Sequence, residues 1–488
     1  MRTSLSHPLQ IATVQAGDGQ GLIGITFCPG KKQPYAATGA WDRDLGLDLD
    51  TIAAWGAAAV VTLVEQHELE TLKVAGMGTA VRARHMEWLH LPIADVSTPC
   101  SAFERAWVRA GASLRTLLRN GFSVLVHCKG GLGRAGTIAA RLLVELGADP
   151  ASAIRQVRTV RPGAIETGAQ ERFVLALPTL VEASPANDDK AIADRAAGAL
   201  LGLVIGDALG TTLEFSARDA KPPVSGLVGG GPFKLAPGEW TDDAAMALAL
   251  ADSLLARPEL DEADLMRRFV AWWRRGDYSC TGRCFDIGIT TRQALARFER
   301  TGDPVAGSTD PQTAGNGSLM RLAPVAIRFW RDRARLADAA ARQGRTTHAA
   351  PEAVDACTAF AELIADAIAG SPRHETLAAR SSTFSPKVAD VLGGSWRGKH
   401  RDAIRSSGYV IHSLEAALWC VGRTSCFADA VLLAANLGDD ADTVAAITGQ
   451  LAGATYGRSA IPAAWLAQLA WRERLETAAL QLAAAGAA

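Results

Sequence analysis

Three carboxylates and a hydroxyl fall within five consecutive positions at Asp439-Asp440-Ala441-Asp442-Thr443. An apolar run, 430–435, leads in, and a helix-like run, 444–454, leads out. Like charges this close repel unless a cation lies between them. Oxygen-only ligands point to a hard ion, Mg2+, Mn2+ or Ca2+, rather than zinc. A second stretch, Gly238-Glu239-Trp240-Thr241-Asp242-Asp243, opens another apolar helix, 244–255. Thr and Asp also favour helix starts as caps, so one cluster alone is ambiguous. Two such clusters, accompanied by glycine-rich segments, predict a single two-metal site.

A different chemistry is written at His127-Cys128-Lys129-Gly130-Gly131-Leu132-Gly133-Arg134. The apolar strand Val124-Leu125-Val126 delivers it, and a helix begins just after. Glycines let successive backbone N–H groups turn inward as an oxyanion nest, built here by residues 129–133. The helix N-terminus adds positive potential and favours a thiolate at Cys128. Arg134 can reach back to clamp two oxygens of the same anion. The layout suits in-line attack on a phosphate monoester, giving a phosphocysteine intermediate. A buried cysteine beside an ordinary glycine turn is the plainer alternative, and it leaves the Arg and the helix start unexplained.

These residues need elements to hold them. Residues 1–183 alternate strand-like runs (22–26, 59–63, 86–91, 123–127) with helical ones (48–56, 103–120, 136–146, 150–158). That alternation predicts an α/β domain with a mainly parallel sheet. The polar, Pro-containing stretch 184–190 reads as a linker, flanked by Glu182 and Ala183. From 191 to 488 the text is Ala- and Leu-rich with glycine loops, which predicts an all-α domain. Its helices are expected at 194–204, 242–255, 262–273, 290–300, 336–343, 353–368, 410–421, 428–435, 443–454 and 463–484, with residues 482–488 prone to fray. Helix 194–204 continues into Gly206-Asp207-Ala208-Leu209-Gly210, and its small residues permit close helix contact.

The cysteine motif resembles that of the tyrosine and dual-specificity phosphatases. Gly24-Ile25-Thr26-Phe27-Cys28-Pro29-Gly30-Lys31-Lys32, Glu65-Gln66-His67-Glu68-Leu69 and Leu91-Pro92-Ile93-Ala94-Asp95 are similar to the cyclin-dependent-kinase-associated phosphatase subgroup. The resemblance covers most of residues 10–180 and needs no cofactor. It implies that Asp95 is the general acid, and that Gln170, in Glu166-Thr167-Gly168-Ala169-Gln170, positions the hydrolytic water. Ala135 departs from the family, which has Ser or Thr there to help the thiolate leave. Thr137 should point elsewhere, so a slow second step is expected.

The later series, Gly198 to Gly210, Glu214, Thr241-Asp242-Asp243, Gly315-Asn316-Gly317-Ser318, Thr347-His348 and Asp440-Ala441-Asp442-Thr443, resembles the ADP-ribosylglycohydrolase family, all-α enzymes with two Mg2+ ions. The resemblance implies that Thr241, Asp242, Asp243 and Asp442 hold one Mg2+. Asp440, Asp442 and Thr443, with Asp242, hold the other. Glu214 matches a mobile-loop acid/base. Asn316, Gly317 and Ser318 would contact the diphosphate and ribose, with His348 near the substrate and Asp286 lining the pocket. Asp439 stands where the family often has Gly, and should face solvent or back up the ligands.

The chain therefore reads as a bifunctional hydrolase acting on phosphorylated or ADP-ribosylated protein or small-molecule substrates. Two rivals differ in class: a phosphatase delivered by a non-catalytic ADP-ribose reader, and a glycohydrolase with a degenerate phosphate anchor. A net charge of −1 gives no signal for nucleic acid or membrane. Eight scattered cysteines without a CxxC pair predict reduced thiols in a cytoplasmic protein. Neither a signal peptide nor a membrane span is expected.

Overall fold

Strands buried on both faces must be apolar throughout, and Ala57–Thr62 is buried at all six positions. It is a central strand of the first of two compact units, Met1–Ala183 and Ser184–Ala488. The computed structural model describes residues 1–36, 39–381 and 383–487. In the first unit β1 (Ala12–Gln15), β2 (Leu22–Phe27), β5 (Ala57–Thr62), β6 (Glu87–His90) and β7 (Ser123–Cys128) form a five-stranded sheet in the order β1-β2-β7-β5-β6. A two-stranded ribbon joins β3 (Lys32–Gln33) to β4 (Trp41–Asp42). Only β1 runs antiparallel within the large sheet. At four residues it is too short to have shown an alternating pattern. Strand β7 lies between β2 and β5, with Phe27 opposite Cys128. The motif thus emerges at the carboxyl ends of parallel strands, where open α/β sheets present their ligands.

Short helices at Gln66–Thr71, Met77–Arg82 and Gly168–Leu175 were not anticipated. The stretch expected as a linker gives way to helix at its C-terminal end, and Glu182 just before it is packed into the first unit. Glu182 is held by Arg115 and Arg119, at 2.5 and 3.0 Å. Asp188 caps a helix by accepting from the Ala191 amide at 2.8 Å.

The second unit is helical, and its central pair explains where the acidic residues meet. Helix Asp189–Gly210 packs antiparallel to helix Ala441–Tyr456 along a seam of small residues. Gly198, Gly202, Gly206 and Gly210 face Gly453, Gly449, Ala445 and Ala441 in turn. A Cβ added at Gly206 would lie 2.1 Å from the Ala445 carbonyl oxygen, and one at Gly449 only 2.0 Å from that of Gly202. The backbones therefore touch, as no larger residues allow. Asp207 follows Gly206, and Asp442 follows Ala441, so the seam brings these two carboxylates together.

One helix expected over 463–484 is two, Ala463–Gln468 and Arg472–Ala487, while Ala488 lies outside the described residues. The chain breaks because loop 238–240 grips it. The Ala470 amide donates to the Gly238 carbonyl at 3.0 Å, and Trp471 meets Trp240 edge-on with centroids 5.5 Å apart. Helices Ala323–Phe329 and Pro386–Leu392 were also unforeseen. Among the described residues no helix is long and apolar enough to cross a membrane.

Candidate active sites

The cysteine loop is held from both sides. Gly131 has φ +69°, and a Cβ there would meet the Phe27 amide nitrogen at 2.5 Å, so only glycine fits. Its amide donates to the Cys128 sulfur at 3.3 Å. The carbonyls turned away from that sulfur are gripped by two cations. Lys31 Nζ donates to Lys129 O at 3.2 Å, while Arg161 donates to Gly131 O at 2.9 Å and Gly130 O at 3.2 Å. Pinning carbonyls outward aims the amides inward. Lys31 is buried between the Phe27 and Trp41 rings, at 4.9 and 4.5 Å, and burial lowers its pKa to about 8.

Helix Gly133–Glu145 begins at the loop and is buried throughout, which places Arg134 beside Cys128. The Arg134 guanidinium forks onto Glu68 at 2.6 and 3.0 Å and donates to Ile93 O at 3.0 Å. Burial works to raise the Glu68 carboxyl, but Arg134 overrides it and holds it low. Glu68 had been given no role from sequence; its bidentate match to Arg134 makes it the residue that orients the clamp. Asp95 lies 2.8 Å from Arg134 on an exposed loop. Leu132 precedes the helix, and Gly133 N donates to Glu166 at 2.8 Å.

Gln170 differs from expectation. It is fully buried, closes a capping box with Thr167 and donates to Ser97 O at 3.1 Å. Its amide ties down the loop that carries Asp95. Thr137 donates to Gly133 O at 2.8 Å, and Ala135 is wholly buried, so neither supplies a hydroxyl to the sulfur.

His127, immediately before Cys128, bonds Thr62 at 2.8 Å, and burial lowers its pKa to about 3. It stays neutral in the fold, whereas the unfolded chain takes up a proton below about pH 6.5. Its contribution is therefore intact above that pH and lost as pH falls, by about 1.4 kcal/mol per unit between pH 6 and 3. Acid unfolding of His127→Gln, followed by circular dichroism, is expected to be shallower over that window.

The carboxylate site lies where three helix ends converge. Asp207, from the end of the glycine-lined helix, accepts from the Thr241 amide at 2.8 Å, the Thr241 hydroxyl at 2.9 Å and the Ala244 amide at 3.0 Å. It thereby caps helix Asp242–Ala256 from outside the chain segment. Two groups have oxygens within 4.8 Å of one another: Asp207, Asp243 and Asp442, and Glu214, Asp440 and Asp442. Asp442 belongs to both. The two distant acidic stretches do converge. Asp242 is in neither group, but it is buried at the same centre, and the charges of Asp286, Asp442 and Asp207 act on it. Asp207 was missed. Its signal was a lone acid in an apolar helix, the only charged residue between Arg195 and Glu214.

Glu214 accepts from the Ala441 and Asp442 amides at 2.7 and 3.3 Å. Its loop pairs with the other acidic stretch: Phe215 N donates to Asp439 O and Asp439 N to Ser216 O, both at 2.8 Å. Asp439 itself is exposed, at φ +55°. Asn316 donates to Asp440 at 2.6 Å and to Ser413 at 2.8 Å, and Thr443 hydrogen-bonds Asp440. His348 is buried against Gly315 and Gly317, where a Cβ on Gly317 would meet its ring at 2.7 Å. Burial lowers its pKa to about 3, so it is neutral and backs the Asn316 loop. Ser318 turns away from the acids. Its hydroxyl accepts from the Cys357 thiol at 3.3 Å in the helix packing.

Burial and then the Asp442 charge push Asp440 up to about 7, Asp207 to about 8, Asp286 to about 9 and Glu214 to about 12. Asp243 Oδ1 is buried without a hydrogen-bond partner. An orphaned oxygen among crowded acids, with an oxygen-only donor set, fits a hard divalent cation.

An α/β domain with a cysteine loop, followed by a helical unit with an acidic centre, defines a phosphatase-like module joined to a glycohydrolase. Residues 42–174 match the phosphatase domain described as "Swiss Army Knife protein, DSP-PTPase phosphatase domain". Residues 188–488 match the ADP-ribosylglycohydrolases, and the chain belongs to that family. It is 49% identical over 289 residues to the ADP-ribosylarginine hydrolase Tri1 of Pseudomonas putida, covering 59% of this chain and 78% of the relative. It is 34% identical to the ADP-ribosyl-[dinitrogen reductase] glycohydrolase of Rhodospirillum rubrum, over 57% and 90% of the two chains. A solved "ADP-ribosylglycohydrolase-related protein complex" superposes with a TM-score of 0.55 at 42% identity, over 61% of this chain and 99% of that one.

Proposed function

We propose that the chain is a two-site hydrolase, releasing phosphate at Cys128 and cleaving the glycosidic bond of ADP-ribosylarginine at the acidic centre. The convergence of Asp207, Asp243, Asp440, Asp442 and Glu214 supports the second activity most directly. The high identity to a relative named for ADP-ribosylarginine supports the acceptor.

At the first site the Cys128 sulfur attacks phosphorus while the bond to the leaving oxygen breaks. The nest amides of 129–133, with that of Gly133 released by Glu166, and the Arg134 N–H groups not engaged by Glu68 take the non-bridging oxygens. Asp95 exchanges its Arg134 contact for the leaving oxygen and gives it a proton. Water then displaces the sulfur and frees phosphate.

At the second site Asp207, Asp243 and Asp442 with Thr241 would hold one Mg2+, and Asp440 and Asp442 with Thr443 the other. Ions held there would supply Lewis-acid chemistry, orienting the ribose hydroxyls and stabilising charge at the anomeric carbon. Asn316 positions Asp440, and the Thr211–Ser216 loop presents Glu214 to carry a proton to the departing nitrogen. Net addition of water gives ADP-ribose and free arginine. Mass spectrometry of products from an ADP-ribosylarginine peptide and a phosphopeptide, with and without Mg2+, tests both halves. Absence of ADP-ribose release in Mg2+ would refute the second.

Ala135 favours one alternative for the first site, a phosphate-binding anchor without turnover. A rapid-quench experiment with an aryl phosphate is expected to show a burst of one product per protein, then slow release. Ala135→Ser is expected to speed the slow phase about tenfold, as a hydrogen bond to a charged group contributes about 1.5–3 kcal/mol. No burst and no turnover would leave the anchor.

A further inference from the structure

Three aromatic rings from three separate loops meet one residue away from the acidic centre. Phe215 follows Glu214, and Phe285 precedes Asp286, whose carboxyl hydrogen-bonds Asp442. Phe233 bridges them, its ring centroid 6.2 Å from Phe215 and 5.2 Å from Phe285. Its loop is fastened to that of Phe215, since the Thr212 hydroxyl donates to Gly229 O at 3.0 Å. Phe215 is 69% exposed and sits at φ +57°, a conformation bulky residues rarely adopt. It is kept there by the backbone pairing of its loop with Asp439. Phe215 meets Phe233 edge-on, and most of its ring is left open to solvent on a strained backbone.

We propose that Phe215, Phe233 and Phe285 form the acceptor subsite, receiving the guanidinium and aliphatic stem of the ADP-ribosylated arginine. This rests on the reading above that the acidic centre cleaves ADP-ribosylarginine. A guanidinium is planar and weakly hydrated, and it stacks on aromatic faces. The same rings would stack adenine, but Phe215 directly follows Glu214, the group that meets the departing nitrogen, whereas adenine lies a ribose and a diphosphate away from that nitrogen. The rim therefore selects the leaving group rather than the nucleotide.

The test measures KM for ADP-ribosylarginine and the inhibition constant of ADP-ribose on the full chain, for wild type, Phe215→Ala, Phe233→Ala and Phe215→Tyr. Both alanine variants are expected to raise KM about tenfold, with the ADP-ribose constant within twofold and Phe215→Tyr close to wild type. An equal rise in both constants would assign the rings to the nucleotide and overturn the proposal, as would an unchanged KM. If wild type cleaves no ADP-ribosylarginine, the functional reading fails separately. Calorimetry then compares the uncleaved conjugate with ADP-ribose: a preference for the conjugate that is lost in Phe233→Ala upholds the subsite, and no preference overturns it.

Discussion

Asp442→Asn is expected to reduce ADP-ribosyl cleavage by about 10³-fold or more, because its carboxylate belongs to both oxygen groups of the centre. The same substitution should stabilise the metal-free protein. It removes one charge from a cluster in which Asp207, Asp243 and Glu214 are already pushed toward their protonated forms, first by burial. In a chelator the variant should melt a few degrees higher than wild type, at about 2–4 °C per kcal/mol for a unit of this size. Adding Mg2+ should raise the melting temperature of wild type, since a ligand of the native state at 100 times its Kd adds about 2.7 kcal/mol. The variant should not respond. An Asp442→Asn protein still stabilised by Mg2+, or still active, would remove the metal centre from the account.

Cys128→Ser is the second large effect. Serine keeps the shape of the loop but not the thiolate, so turnover of an aryl phosphate should fall by about 10⁴-fold or more. Anion affinity should survive, because the inward amides and the Arg134–Glu68 pair do not depend on the sulfur. Tungstate binding, followed by thermal shift, is expected to stay within a few-fold of wild type. Arg134→Met should lose it, and the freed Glu68 would add a buried, unpaired charge. Residual turnover in the serine variant with an undiminished rate would mean that the phosphate chemistry lies elsewhere.

What the sequence made legible was whatever sits in one unbroken run. The loop from His127 to Arg134 is local: strand, glycines and helix start are consecutive, so its shape follows from residue types alone. The acidic pairs at 242–243 and 440–442 were visible for the same reason. Partners chosen by tertiary packing were not. Glu68 reaches Arg134 across 66 positions, and Asp207 reaches Thr241 across 34. Gln170 and Ser318 were assigned by resemblance, yet their side chains are engaged by Ser97 and Cys357. The long helix expected over 463–484 failed at a break made by another loop, which no helical periodicity could reveal.

The glycine seam makes catalysis depend on how thin two rods are. Oxygens around a small hard cation tolerate displacements of only about 0.2 Å. A methyl group at Gly202, Gly206 or Gly449 must push the rods apart by more than that, since it would begin about an ångström inside a carbonyl oxygen's normal reach. Inactivating changes in this chain should therefore gather along a line of positions bearing no functional group at all. Natural variation there should be confined to the smallest side chains even where every ligand is retained.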